Sequence, residues 1–301
     1  LAAVGTANPI MNIVMFFIIG VCMGASILMS EYFGAKNTKK FKKEVSTTLI
    51  AGFVFTIIVS IACILAANPL LQLIQTPEEI ISDAAMYLRI IFCGLIFTFL
   101  YNFYAATLRS IGDTKTPVKF LIFASVLNVV MDLIFVIYLK MGVSGAAIAT
   151  VIAQMISSLL CIIYVYRRVP LLRFSREEMI VDQELLKITL SYSWVTAMQQ
   201  TCLHIGKVLV QGAVNPLGVE TIATFNAVNR VDDFAFTPEQ SISHGMTTFV
   251  AQNRGAKNKK RIDKGFWVGM KIETLYWCII VGLVYFGAPY IMQMFVPDKT
   301  S

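Results

Sequence analysis

The sequence predicts an all-α polytopic membrane protein with two pseudo-symmetric six-helix lobes, of which this chain carries a part truncated at both ends. Three observations lead there. Hydrophobic residues make up 57% of the 301 and charged residues only 14%, with a mean hydropathy of +0.71. Soluble domains carry roughly 25% charged residues, so the natural solvent for this surface is lipid. Eight stretches reach the roughly 20 apolar residues that a bilayer-spanning helix needs. Finally, the basic residues fall almost wholly on alternate loops.

The spans are expected at 10–30, 45–67, 84–108, 118–139, 143–166, 187–214, 219–250 and 265–288. The sixth and seventh are longer and more polar than the rest. Asn68-Pro69 and Asn215-Pro216 are read as closing two helices, and Thr116-Pro117 as opening another, because proline is tolerated in a first helical turn. Thr76-Pro77-Glu78-Glu79 fits a capping box leading into the third span, and Ser175 with Glu178 fits another in the polar segment 167–186. Pro238 lies inside the seventh span and is expected to kink it.

Charge placement gives the orientation. On one side lie Lys36, Lys39, Lys40, Lys42, Lys43, Arg109, Lys115, Lys119, Arg167, Arg168, Arg173, Arg176 and Lys187. Arg254, Lys257, Lys259, Lys260, Arg261 and Lys264 join them, whereas the opposite side has only Lys140 and Lys299. Positively charged loops stay in the cytoplasm, so the first set is cytoplasmic and the segment 167–186 with it. The net charge of +7 is thereby explained by membrane orientation and anionic headgroups, with no nucleic-acid partner. Cys22, Cys63, Cys93, Cys161, Cys202 and Cys278 are scattered through apolar stretches without a CxxC pair, which argues against a disulfide frame or a metal site. The expected partners are the lipid bilayer and a small-molecule substrate, with no obligatory protein partner.

An internal repeat sets the domain organisation. Gly34-Ala35-Lys36-Asn37 after the first span recurs as Gly255-Ala256-Lys257-Asn258 after the seventh, an offset of 221 residues at which Gly24 also meets Gly245 and Asn8 meets Asn229. Six spans separate the two loops, so the repeats share one orientation and are related about an axis along the membrane normal. The offset places one helix before Leu1 and three after Ser301, twelve in all. The chain then divides into a first lobe lacking its first helix (1–166), a cytoplasmic linker (167–186) and the first half of a second lobe (187–301).

Polar residues inside spans mark candidate sites, because a charge at the bilayer centre costs about 2.5–3.5 kcal/mol. Ser125, Asn128 and Asp132 share a face of the fourth span, and Thr150 and Gln154 share one of the fifth. A carboxylate with amide and hydroxyl neighbours suits Na⁺ or a proton, and equally a buried Asp that only pins two helices together. In the second lobe Ser193, Thr196, Gln200, His204, Lys207 and Gln211 form one helical stripe. Asn226, Arg230, Asp233, Thr237, Gln240, His244 and Thr247 form another, with Arg230 and Asp233 spaced for an ion pair. Two facing stripes are expected to line a wet cavity, although polar glue between helices explains any one member. His204 and His244 read as hydrogen-bonded stripe members rather than metal ligands.

These motifs resemble the multidrug and toxic compound extrusion (MATE) family of efflux transporters, most nearly its bacterial branch related to DinF. Leu108-Arg109 with Gly112-Asp113-Thr114-Lys115-Thr116-Pro117 is similar to the loop between that family's fourth and fifth helices. Asn128-x3-Asp132 and Gly142–Thr150 resemble its fifth and sixth helices, and Gln252-Asn253-x-Gly255-Ala256 the exit of its eighth. The Arg230-x-Asp232 pattern and Pro238 agree, so the resemblance covers essentially the whole chain as helices two to nine of twelve. It implies a cation-coupled antiporter that alternates access between two lobes. In the DinF-like branch a cation site uses positions matching Asn128, Asp132 and Thr150, together with a first-helix acid that lies outside this chain. The branch resembling NorM uses a glutamate on the seventh helix, where span 187–214 has none.

The expected function is therefore export of small organic compounds, cationic or amphipathic and drug-like, across the bacterial inner membrane. The drive would be an H⁺ or Na⁺ gradient, with no cofactor beyond that ion. Coupling is expected at Asp132, Asn128 and Thr150, and substrate contact at Gln200, His204, Lys207, Asn226, Arg230, Asp233 and Gln240. The alternative is a lipid-linked sugar flippase of similar architecture, whose cavity must be strongly cationic to hold pyrophosphate. No HExxH, Gly-x-Ser-x-Gly or P-loop is present, so neither an embedded hydrolase nor direct ATP drive is expected.

Overall fold

The computed structural model describes residues 2–74, 76–214 and 219–295. Among these every regular element is helical: α1 (Ala2–Gly34), α2 (Thr38–Leu73), α3 (Glu78–Cys93), α4 (Leu95–Ser110), α5 (Lys115–Asp132), α6 (Gly142–Arg168), α7 (Gln183–Val214), α8 (Val219–Gly255) and α9 (Lys259–Phe295). In lipid a chain must satisfy its backbone internally, and helices do so within one segment. Helices α1, α2, α6, α9 and α5 with its continuation are long and apolar enough to span a bilayer, and α3 with α4 forms a sixth, bent span. Helices α7 and α8 have the length, at 32 and 37 residues, but are more polar. The protein is a multi-pass membrane protein.

Several boundaries differ from the sequence reading. Asn68-Pro69 does not close its helix, for α2 continues through Pro69 to Leu73. The lost hydrogen bond falls near the helix end, where little remains to disrupt. The third span breaks at Gly94 with a bend of 43°, and Val151 of α6 packs directly on that glycine, where a Cβ would sit 2.4 Å from its Cγ2. The capping box at Thr76 does not form: Pro77 is the N-cap of α3 and no side chain caps it. Glu178 does reach back to the Ser175 N–H at 2.9 Å, on a single 3₁₀ turn. Asn215-Pro216 lies outside the described residues, and α8 runs unbroken through Pro238.

The core of the first lobe is two large apolar clusters and a smaller one around Tyr101, Ala105 and Cys161. One of the large clusters gathers Ile18, Met29, Phe41, Leu95, Phe99 and Phe103 from α1, α2 and α4. The other joins Ala7, Leu71, Leu88, Phe92 and Ala147 from α1, α2, α3 and α6. Helix α5 is buried only at Pro117 and Ala124, and most of its exposed residues beyond Lys119 (Leu121, Ile122, Val126 and Val129 among them) are apolar, as a lipid-facing surface requires, with Ser125 the polar exception.

The loop into α5 explains its own motif. Gly112 takes φ +97°, open to glycine at no steric cost. Asp113 then accepts the Thr116 N–H at 3.1 Å through one oxygen and the Tyr164 hydroxyl of α6 at 3.1 Å through the other. Burial pushes its carboxyl up, but the bonds from Thr116 and Tyr164 together hold it below the usual aspartate range. Tyr101 adds a hydroxyl bond to the Pro117 carbonyl, 3.2 Å long.

Candidate functional site

Helices α5 and α6 pack side by side and bring the first-lobe polar residues into the lobe. Asn128 and Asp132 stand one turn apart on α5, and Thr150 and Gln154 one turn apart on α6. Asn128 Nδ2, Asp132 Oδ1 and Gln154 Oε1 are each shielded from solvent and have no hydrogen-bond partner among the described residues. Native structures leave few buried polar atoms unpaired, so three in one neighbourhood call for an explanation. Thr150 donates to the Ala146 carbonyl at 3.0 Å, leaving its lone pairs free to accept. Tyr87 of α3 lies within electrostatic range of Asp132. Directly after Asp132 the helix widens into a π-turn over Leu133–Tyr138, a distortion that clusters at functional positions.

A second polar region lies between α1, α4, α7 and α8. A cavity of about 430 Å³ is walled there by Met23 and Ser26 of α1, Gln199 and Gln200 of α7, and Glu239, Gln240, His244 and Thr247 of α8. Arg109, at the end of α4, also lines it.

Past this cavity, α1 and α8 meet at their C-termini in a reciprocal contact. A Cβ at Gly34 would lie 1.9 Å from the Gln252 carbonyl oxygen, and one at Gly255 would lie 1.9 Å from that of Glu31. Residues 31 and 252 are themselves repeat equivalents at the 221-residue offset, so each helix presents the same glycine to the same position of the other. Such a self-complementary contact is what a two-fold axis produces. Arg254 to Glu31 (3.6 Å) and Gln252 to the Ser110 carbonyl (2.8 Å) close the same end.

The second-lobe stripes divide. Gln200 and Gln240 line the cavity, with His244 and Thr247 beside them. His204 does not: it stacks on Phe16 of α1, ring centroids 3.6 Å apart. Lys207 and Asp233 also lie off the cavity wall and pair with each other, Nζ to Oδ1 at 2.6 Å, tying α7 to α8. The side chains of Asn226 and Arg230 lie outside the described residues. Ser193 and Thr196 serve as helix glue, donating to the Val21 and Gly20 carbonyls of α1 at 3.0 and 2.6 Å, and Thr196 also lines the cavity. Those bonds are reachable because Gly20 and Gly24 let α7 approach to backbone contact.

Two residues escaped the sequence reading. Arg109 counts as a loop cation by position, but it is the penultimate residue of α4 and points back along the helix, as helical side chains do. Tyr87 reads as one more apolar residue of its span, and only packing of α3 against α6 brings it near Asp132.

The family model described as MatE matches residues 1–134 and 195–301. Over the whole chain the sequence is 29% identical to the probable multidrug resistance protein YoeA and 28% identical to YpnP, both of Bacillus subtilis (strain 168). The chain spans 66% and 67% of these two relatives, about two thirds of their length. The crystal structure of MATE in the bent conformation superposes with a TM-score of 0.89 at 22% identity, covering 98% of this chain and 66% of that one. With the family pattern matched over most of the chain and the fold shared throughout, this chain belongs to the MATE family.

Proposed function

We propose that the protein carrying this chain is a secondary antiporter that exports small organic compounds, cationic or amphipathic, across a bacterial inner membrane, driven by an H⁺ or Na⁺ gradient. The observation that carries the coupling part is the set of unpaired buried atoms at Asn128, Asp132 and Gln154. Asp132 and Gln154 offer oxygens, as does Thr150, and a hard cation takes oxygen ligands. A proton on Asp132 would meet the same need with one fewer partner. For coupling, the ion must favour one facing state over the other. The π-turn after Asp132 gives the helix a place to respond. The interlobe cavity supports the substrate part: it is walled mainly by amides and hydroxyls, and it ends at the tight α1–α8 crossing. The two Bacillus relatives are named for multidrug resistance. Among the cavity's described residues one guanidinium, Arg109, stands against one carboxylate, Glu239, which gives the flippase reading no strongly cationic wall.

The test is efflux of a fluorescent organic cation from vesicles containing the full-length protein, under an imposed pH or Na⁺ gradient. Gradient-driven transport is expected, and Asp132→Asn should abolish it while leaving thermal stability near wild type. Undiminished transport by a folded Asp132→Asn protein would remove Asp132 from the coupling role.

A further inference from the structure

Glu44 lies near the start of α2, wholly buried, and the coupling mechanism above makes no use of it. Its Oε1 stands 3.0 Å from Thr48 Oγ1 of the same helix and 2.7 Å from Thr189 Oγ1 of α7. Its Oε2 is shielded from solvent with no partner among the described residues. Thr189 Oγ1 also lies 2.8 Å from the Leu185 carbonyl oxygen. A hydroxyl carries one proton, so Thr189 cannot donate to both neighbours.

If Glu44 is a neutral acid, the chain closes. Thr48 donates to Glu44 Oε1, Glu44 donates to Thr189 Oγ1, and Thr189 donates to the Leu185 carbonyl. Each contact then holds one proton. If Glu44 is ionised, one short oxygen–oxygen contact has none, and a charged oxygen is buried without a partner, which costs far more than a buried neutral one.

Among the described residues no cation compensates a charge on Glu44. Asp182 of the linker acts on Glu44 as a like charge and is itself paired with Lys43 at 3.0 Å. Lys42 is likewise engaged by Glu178 at 2.8 Å. Tyr32 and Glu31 of α1 and Tyr192 of α7 are further titratable groups at this junction.

We propose that Glu44 is a proton-binding site that latches the start of α7 onto α2, so that a proton taken up there holds the linker end of the second lobe against the first. The linker is seated on the same turn of α2, through Ser46 to the Ile180 carbonyl (3.0 Å) and the Asp182 N–H to Thr47 Oγ1 (3.0 Å). Losing the proton leaves a negative charge buried at the α2–α7 contact with Oε2 unpartnered, a cost relieved when α7 moves off and water reaches the carboxylate. Only proton uptake and release is involved, with no bond made or broken in the chain, and the site does not depend on Asp132 being the coupling residue.

Infrared difference spectroscopy of the full-length protein in lipid bilayers reads the proton directly. At neutral pH a protonated carboxyl C=O band is expected that vanishes in Glu44→Gln and shifts in Thr189→Val, where the acceptor is gone. Hydrogen exchange over 183–190 gives a second readout. Its protection, corrected for intrinsic pH dependence, should fall as alkaline pH removes the proton in the wild type. It should stay flat in Glu44→Gln, whose amide N–H replaces the acid O–H as donor. Absence of a Glu44 carboxyl band at neutral pH, or the same pH dependence of protection in wild type and Glu44→Gln, would overturn the proposal. Neither readout measures transport, so the antiporter reading stands or falls separately.

Discussion

Asn37 and Asn258 do the same work at equivalent positions. Asn37 Oδ1 accepts the Lys40 N–H at 3.0 Å and Asn258 Oδ1 accepts the Arg261 N–H at 3.1 Å, each satisfying one of the free donors at a helix start. Replacing either by Ala should cost about 1 kcal/mol, read as a lowered midpoint in thermal unfolding of the detergent-solubilised protein. The residues before them, Lys36 and Lys257, both adopt left-handed backbone, at φ 56° and 54°. A β-carbon is strained there, so Lys36→Gly or Lys257→Gly should relieve about 1 kcal/mol, provided the added freedom of the unfolded chain does not consume it. The same unfolding measurement decides. The repeated tetrapeptide is therefore a repeated mechanism: a left-handed cap ends one helix and an asparagine starts the next.

At the scale of elements, two contacts govern how the helices meet. The first is the α1–α8 crossing, where no room exists for a Cβ on Gly34 or Gly255. The atom met in each case is backbone, so Ala at either position must push the helices apart, at about 1–3 kcal/mol by analogy with overpacked cores. The expected result for Gly34→Ala is greater labelling, from the linker side, of a cysteine placed at Ser26 in the cavity wall. Labelling equal to that of the Ser26→Cys parent would show that the crossing tolerates the methyl. The second contact is the linker on α2. Hydrogen bonding from Lys42 holds Glu178, and that from Lys43 holds Asp182, below their ordinary carboxylate ranges. A depressed folded value means stabilisation that is complete above the unfolded values, about 4.3 for Glu and 3.9 for Asp. It is lost as pH falls through the folded ones. Linker anchorage should thus be flat with respect to these two groups from pH 5 to 8 and weaken near pH 3. Hydrogen exchange over 173–182 can follow it. Glu44 works in the opposite direction, loosening as pH rises, so the two effects separate on the pH axis.

For the whole molecule, the repeat and the charge bias make one joint prediction. Both glycine loops lie on the same side, and the basic loops there predict that this side is cytoplasmic. Cysteines replacing Lys36 and Lys257 in a cysteine-free background should react with a membrane-impermeant thiol reagent only from the cytoplasm, and one replacing Lys140 only from outside. Labelling of the two loops from opposite faces would contradict the parallel relation between repeats. The reciprocal fit of Gly34 on Gln252 and Gly255 on Glu31 already agrees with a two-fold axis along the membrane normal.

Composition alone determined that this chain lives in lipid, and hydropathy set its spans. The Gly34–Asn37 repeat gave the relation between its halves, since each of these is a local property of the sequence. Boundaries were less legible where the surroundings bear on them: the third span breaks at Gly94, against which Val151 of α6 packs, and Pro69 does not end α2 because it lies within about a turn of the helix end. The polar stripes show the same division. Helical spacing places Ser193, Thr196, Gln200, His204 and Lys207 on one face, but it cannot say what that face meets. Tertiary packing sends the first two to the α1 backbone, Gln200 to the cavity, His204 to Phe16 and Lys207 to Asp233. Glu44 follows directly on Lys42 and Lys43 in sequence, and its contact with Thr189 comes from the packing of α7 on α2. Periodicity is encoded within a helix, whereas the partner of each side chain is fixed by which other helix comes alongside.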